Sequence, residues 1–189
     1  MSDANSSANS APIILVTGPT RSGKSEWAEH LAAQSGQQVI YIATSQILPG
    51  DAEWIARIEQ HRQRRAVNWQ VQEVPIELPK VIEEASVNSC LLVDSLGTWL
   101  ANILEQEPAV WETTCAALLA SLAQTPAQVI LVAEEVGWGV VPAYPLGRLF
   151  CDRMGQLTRQ VGAIAESVYL VTAGYAIDVR HLGHPVPRV

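Results

Sequence analysis

Positive charge is scarce in this chain: 12 lysines and arginines stand against 19 aspartates and glutamates, for a net charge of −7. A surface of that sign repels a nucleic-acid backbone, which argues against general binding to duplexes. Cysteine is scarce as well. Cys90, Cys115 and Cys151 lie far apart and form no Cys-x-x-Cys pair, which argues against a disulfide framework or a zinc site and for a reducing compartment. No apolar run approaches the ~20 residues that span a bilayer. The opening MSDANSSANSAP has no apolar stretch of the kind a secretion signal needs. The expectation is a cytoplasmic protein with no membrane span and no nucleic-acid partner, in which residues 1–11 form a disordered tail.

What remains suits one globular domain over residues 12–189, with 48% apolar and 16% charged residues. Short apolar runs recur: IILVT (13–17), QVIYIA (38–43), CLLVD (90–94), QVILVA (128–133) and SVYLVTA (167–173). They are continuous rather than alternating, as in strands buried on both faces of a parallel sheet. WQVQEV (69–74) alternates more and reads as an edge strand. Helices are expected at 24–34, 51–65, 79–86, 95–104, 108–124 and 145–166. The strand–helix alternation predicts a three-layer α/β domain with a mostly parallel central sheet and right-handed crossovers.

Between the first strand and the first helix stands Gly18-Pro19-Thr20-Arg21-Ser22-Gly23-Lys24-Ser25, a full match to GxxxxGK[ST]. Glycines let consecutive backbone N–H groups point inward at a phosphate, and the following helix adds its positive end. Lys24 then reaches the outer phosphates and the Ser25 hydroxyl is offered to Mg²⁺. A polar turn is the bland alternative, but the strand before and the helix after favour a P-loop NTPase-like fold. CLLVD ends in Asp94 at the carboxyl edge of a central strand. There it can hold the same Mg²⁺, or simply cap the helix that begins near Ser95. Glu134-Glu135 closes the fourth run and either faces the site or lies in a solvated turn.

Of the histidines, His30 reads as solvated, and His181 and His184 fall in a loop-like tail. His61 shares a helical face with Trp54 and Ile58 and is followed by Arg62, Gln63, Arg64 and Arg65. Imidazole can attack phosphorus and guanidiniums can neutralise a triphosphate. Composition alone leaves open a half-buried histidine beside a solvated basic stretch.

Taken together, ILVTGPTRSGKS, YIATSQIL (41–48), ARIEQHRQRR (56–65), VDSLGTWLANIL (93–104), EVGWGVVP (135–142) and residues 146–177 resemble one family. It is the bifunctional adenosylcobinamide kinase/adenosylcobinamide-phosphate guanylyltransferase family of cobalamin biosynthesis. The resemblance implies phosphorylation of adenosylcobinamide by ATP or GTP. It also implies transfer of GMP from GTP, through a guanylyl-histidine, to adenosylcobinamide phosphate. It puts the nucleophile on His61 and implies Lys24 as a catalytic partner. Nucleotide contacts are implied at Gly18–Ser25, Ala43, Thr44, Ser45, Arg62–Arg65, Glu73 and Asp94. A corrinoid substrate and a homotrimer are implied too. The chain departs from the family pattern at Gln60, where a second histidine is common, and at Ala143-Tyr144 and Thr158, where asparagine is common. The rival readings are a P-loop kinase of small metabolites, which needs no histidine nucleophile, and a nucleotide-controlled switch, which needs mobile γ-phosphate sensors.

Overall fold

The structure, a computed structural model, describes residues 11–46 and 66–187. Residues 1–10 of the expected tail, the expected helix 51–65, and His61 with Arg62–Arg65 lie outside the described residues.

All the described strands join one seven-stranded sheet in the order β3-β2-β4-β5-β1-β6-β7. They are β1 (Ile13–Gly18), β2 (Gln38–Ala43), β3 (Gln70–Glu73), β4 (Ser89–Asp94), β5 (Gln128–Glu134), β6 (Ser167–Thr172) and β7 (Tyr175–Asp178). Every pairing is parallel except β6 with β7. Among the described residues the helices are α1 (Lys24–Gln34), α2 (Leu78–Glu83), α3 (Leu96–Asn102), α4 (Pro108–Gln124), α5 (Pro145–Ile164) and α6 (Val179–Leu182).

Side chains alternate across each strand, so a run that is apolar throughout needs cover on both faces. Val16, Leu92, Ile130 and Val132 meet Ala28 and Ala32 of α1 on one face. Leu15, Val93, Val129 and Leu131 meet Trp99, Leu118 and Leu157 of α3, α4 and α5 on the other. The three-layer expectation therefore holds, and WQVQEV does supply the edge strand, whose four residues Gln70–Glu73 are all exposed while Val74 beyond them is buried. Burial pushes the Cys90 and Cys115 thiols up to about 11, which keeps both as packing residues rather than nucleophiles.

The carboxyl-terminal segment differs from its sequence reading. After β6 the chain turns through Ala173 (φ 50°) and Gly174 (φ 79°) and returns as the antiparallel β7. Positive φ at both central residues is the geometry of a type I′ hairpin, whose usual signal is Asn-Gly. Alanine in the first place hid it. His181 likewise is not in a loop: it belongs to α6, where the Asp178 carboxylate accepts hydrogen bonds from the Arg180 and His181 N–H groups.

The Trp99 indole is fully buried, and its Nε1 donates to the Ile76 carbonyl at 2.9 Å. It thereby ties α3 to the strap between β3 and α2. Trp99→Phe leaves a void and strips the Ile76 carbonyl of one of its two hydrogen bonds, the Leu78 N–H remaining, and should cost about 2 kcal/mol. A urea midpoint within error of the parent would show that the strap does not depend on this bond.

Candidate nucleotide site

Because the strands are parallel, their carboxyl ends share one edge of the sheet, where open α/β folds bind ligands. Gly18 is in register with Glu134 of β5, and Ala43 of β2 with both Asp94 of β4 and Glu73 of β3. Adjacent strands lie ~4.8 Å apart, so Asp94, two strands from β1, is about 10 Å away along the edge. Glu73 is at the far end of this row.

The loop after β1 is shaped by two glycines. At Gly18 a Cβ would run into the Val171 carbonyl, and Gly23 has φ 96°, which L side chains rarely adopt. Arg21 also takes a positive φ of 59°, and its side chain and that of Thr20 are exposed. No side chain caps the start of α1. Its first N–H groups and the positive end of its dipole are thus left to whatever occupies the loop. The Ser22 Oγ is buried there with no hydrogen-bond partner among the described residues. An orphan donor beside uncapped N–H groups fits a phosphate.

Lys24 and Ser25 open α1 and are both buried, Lys24 at 6% exposure. Among the described residues the ammonium makes only a long hydrogen bond, 3.5 Å to the Pro19 carbonyl. Its electrostatic complement is Glu134, whose carboxyl is pushed above the ordinary range chiefly by burial. The Ser95 hydrogen bond and the charge of Lys24 oppose that shift, and Asp94 adds to it.

Asp94 is not the cap of the helix that follows. Ser95 is: its Oγ accepts from the Thr98 N–H, and the Thr98 side chain accepts from the Ser95 N–H. Asp94 accepts from the Tyr41 hydroxyl at 2.9 Å and stays at the strand end. The Ser95 hydroxyl proton goes to Glu134 Oε1 at 2.6 Å, and the Gly97 N–H donates to Oε2 at 2.8 Å. A Cβ at Gly97 would fall on that carboxylate. Thr44 completes the frame. It is fully buried, donates from Oγ1 to the Ser95 carbonyl at 2.7 Å, accepts from the Ser95 N–H at 2.9 Å, and also meets the Thr98 hydroxyl. The Thr44 carbonyl in turn accepts from Asn102 Nδ2.

The structure thus gathers Gly18–Ser25, Asp94 and the end of β2 at one edge. Ala43 and Ser45 are half-buried there and Glu73 is exposed. Sequence reasoning left Glu134 open and missed Ser95 as its partner. Nothing local signals a bond between residues 39 apart in the chain.

The donor oxygens of Ser25 and Asp94 are hard ligands of the kind Mg²⁺ prefers. Among the described residues no group of three or more His, Cys, Asp or Glu could hold a metal ion. Mg²⁺ at nucleotide sites commonly takes only one or two carboxylates, the phosphates supplying the rest.

Three comparisons bear on this edge. Residues 14–179 match the family described as cobinamide kinase / cobinamide phosphate guanyltransferase. The chain is 41% identical over 174 residues to the bifunctional adenosylcobalamin biosynthesis protein CobP of Pseudomonas aeruginosa, covering 91% of this chain and 98% of that one. It is 38% identical over 183 residues to CobU of Escherichia coli, with 89% and 99% covered. In fold it is similar to an ATPase of a bacterial type III secretion system (TM-score 0.54, 12% identity, 92% of this chain and 58% of that one). The same holds for an ATP synthase subunit from Nanoarchaeum equitans (TM-score 0.51, 10% identity, 93% and 53% covered). No described helix is long and apolar enough to cross a membrane.

Glu134 gives a pH test. Its folded-state pKa is raised, so folding favours the protonated carboxyl. The associated stability is fully present below the unfolded value of about 4.3 and is lost as pH rises through the folded value. Glu134→Gln has no charge to bury, so it should gain stability relative to the parent as pH rises from about 4 to about 8. Urea titrations at each pH give that difference. A flat or opposite trend would refute the burial account.

Proposed function

From the premise that the chain belongs to the cobinamide kinase / cobinamide phosphate guanyltransferase family, we propose that it phosphorylates the alcohol of adenosylcobinamide with ATP or GTP, then joins GMP to the product. As a member of this family it is a kinase and a nucleotidyltransferase of cobalamin biosynthesis. The finer steps rest on one observation above all: a buried lysine, an orphan Ser22 hydroxyl and an uncapped helix start converge on the loop Gly18–Ser25.

In the phosphoryl step the acceptor hydroxyl attacks the γ-phosphorus. The loop's N–H groups and Lys24 hold the phosphates in line and balance charge as the bridging bond breaks. Mg²⁺, when bound by the Ser25 hydroxyl and the Asp94 carboxylate, would supply further charge neutralisation at the phosphate oxygens. In the guanylyl step a neutral His61 nitrogen attacks the α-phosphorus of GTP. Pyrophosphate leaves into the grip of the same loop, and Arg62, Arg64 and Arg65 neutralise the charge that develops. The phosphate of adenosylcobinamide phosphate then displaces the histidine and takes the GMP. Each transfer needs a polyphosphate held in one place, which is why one loop serves both. Ala43, Thr44, Ser45 and Glu73 complete the nucleotide contacts in this reading, with Thr44 contributing through its backbone because its hydroxyl is committed to Ser95.

The test is covalent. Protein treated with GTP and Mg²⁺ should gain the mass of one GMP moiety, in a bond cleaved by mild acid and stable to alkali, as a phosphoramidate to imidazole is. His61→Asn should carry none. An adduct that survives acid, or persists in His61→Asn, would remove His61 from the mechanism. Lys24→Ala should lower both the kinase and the guanylylation rates by about 10²–10³-fold with the urea midpoint little changed. Equal rates in that variant would mean that the loop is not the phosphate site.

A further inference from the structure

A cleft of about 510 Å³ opens beside the nucleotide edge, between α5 and the ends of β1, β5 and β6. Its size is that of a small-ligand site. Along α5 the wall includes Arg159 and the set Cys151, Gly155, Thr158 and Gly162, the set being spaced four, three and four residues apart, so that its members share one helical face. Glycine inside a helix is destabilising, and close packing is the common reason to keep it. Packing does not explain these two. A Cβ at Gly155 would meet nothing within 4 Å, and one at Gly162 would make ordinary contacts of 3.6 Å with Leu15 and 4.0 Å with Val168. What a side chain at Gly155 would occupy is the cleft. In the same wall the Thr158 Oγ1 is buried without a hydrogen-bond partner among the described residues, which a polar ligand group would satisfy.

Both glutamates also line the cleft. Both Glu134 oxygens already accept hydrogen bonds, from the Ser95 cap and the Gly97 N–H at the start of α3. Glu135 is held differently. Thr17 Oγ1 donates to its Oε1 at 2.6 Å, and its N–H donates to the carbonyl of Gly18, the first residue of the phosphate loop. Its second oxygen has no hydrogen bond among the described residues.

We infer that this cleft seats the alcohol-bearing side chain of the acceptor, and that Glu135 takes the alcohol proton in the phosphoryl step. The inference rests on the family reading above and deepens it. A cleft of this size admits an extended side chain while the macrocycle stays outside. The O–H bond breaks as its proton passes to Glu135 Oε2, and the freed oxygen bonds to the γ-phosphorus. The bond from that phosphorus to the bridging oxygen breaks, and the nucleoside diphosphate leaves with the electron pair. Glu135 then returns its proton to solvent. The later guanylyl transfer uses an acceptor phosphate that is already an anion and requires no such base.

The experiment measures kinase kinetics with cobinamide and GTP, and separately guanylyl transfer to cobinamide phosphate. Gly155→Leu, which fills the cleft and favours the helix, should raise the cobinamide KM about tenfold or more. The GTP KM should move little, and the melting temperature should not fall. Gly155→Ala should lie between. Glu135→Gln should lower kinase kcat about 10²-fold or more and slow guanylyl transfer far less. An unchanged cobinamide KM in folded Gly155→Leu overturns the cleft assignment. Equal losses of both activities in Glu135→Gln, or none, overturn the base. If the parent protein phosphorylates no cobinamide at all, the family reading itself has failed and the cleft assignment falls with it. If the parent is active and only the variants disagree, the family reading stands alone.

Discussion

A lysine side chain is buried at the head of α1, at the positive end of that helix, with no ion pair among the described residues. Burying a charge is costly unless something compensates it, and here the helix dipole adds to the cost. Within the protein the compensation is partial, coming from Glu134 across the edge. In the proposed function a polyphosphate completes it. The loop is therefore tuned for anions before any arrives. Little reorganisation is needed at the moment of reaction, which is the condition under which electrostatic stabilisation is worth most.

The other side of the edge is rigid for a different reason. Thr44, Ser95, Thr98 and Glu134 share their protons in a closed set of hydrogen bonds that joins the end of β2, the β4–α3 turn and the end of β5. Each hydroxyl has a donor role and an acceptor role filled. Buried polar networks rigidify a site when fully satisfied. The product of this frame is the position of Asp94, fixed by its strand, by Tyr41 and by the turn that follows it. One half of the edge waits for charge, and the other half holds still.

Much of this was legible in the sequence. Strands buried on both faces write themselves as unbroken Val, Ile and Leu runs, and the loop between β1 and α1 shows its two glycines, which the structure needs at Gly18 and Gly23. The β6–β7 hairpin was hidden because Ala173 adopts the positive φ that Asn usually signals. Ser95 and Glu134 were hidden because their bond spans distant segments, and only the strand order β4-β5-β1 brings them together. Asp94 had two readings, cap or metal ligand, that local sequence cannot separate, since both want a carboxylate at the end of a strand. The structure gives the cap to Ser95. Gly155 carried no signal in the sequence, and Thr158 stood out only as a departure from the family pattern; the empty space beside them gives both a place in a cleft.

The central claim is that the loop Gly18–Ser25 and Asp94, two strands apart, act as one site for a metal-bound nucleotide. Calorimetric titration of GTP into the parent protein and into Asp94→Asn, each with and without Mg²⁺, tests it most directly. The account predicts that Mg²⁺ tightens binding in the parent, that most of this tightening is lost in Asp94→Asn, and that metal-free affinity stays level or rises as a negative charge leaves the phosphates. Full Mg²⁺-dependent tightening in Asp94→Asn would contradict it.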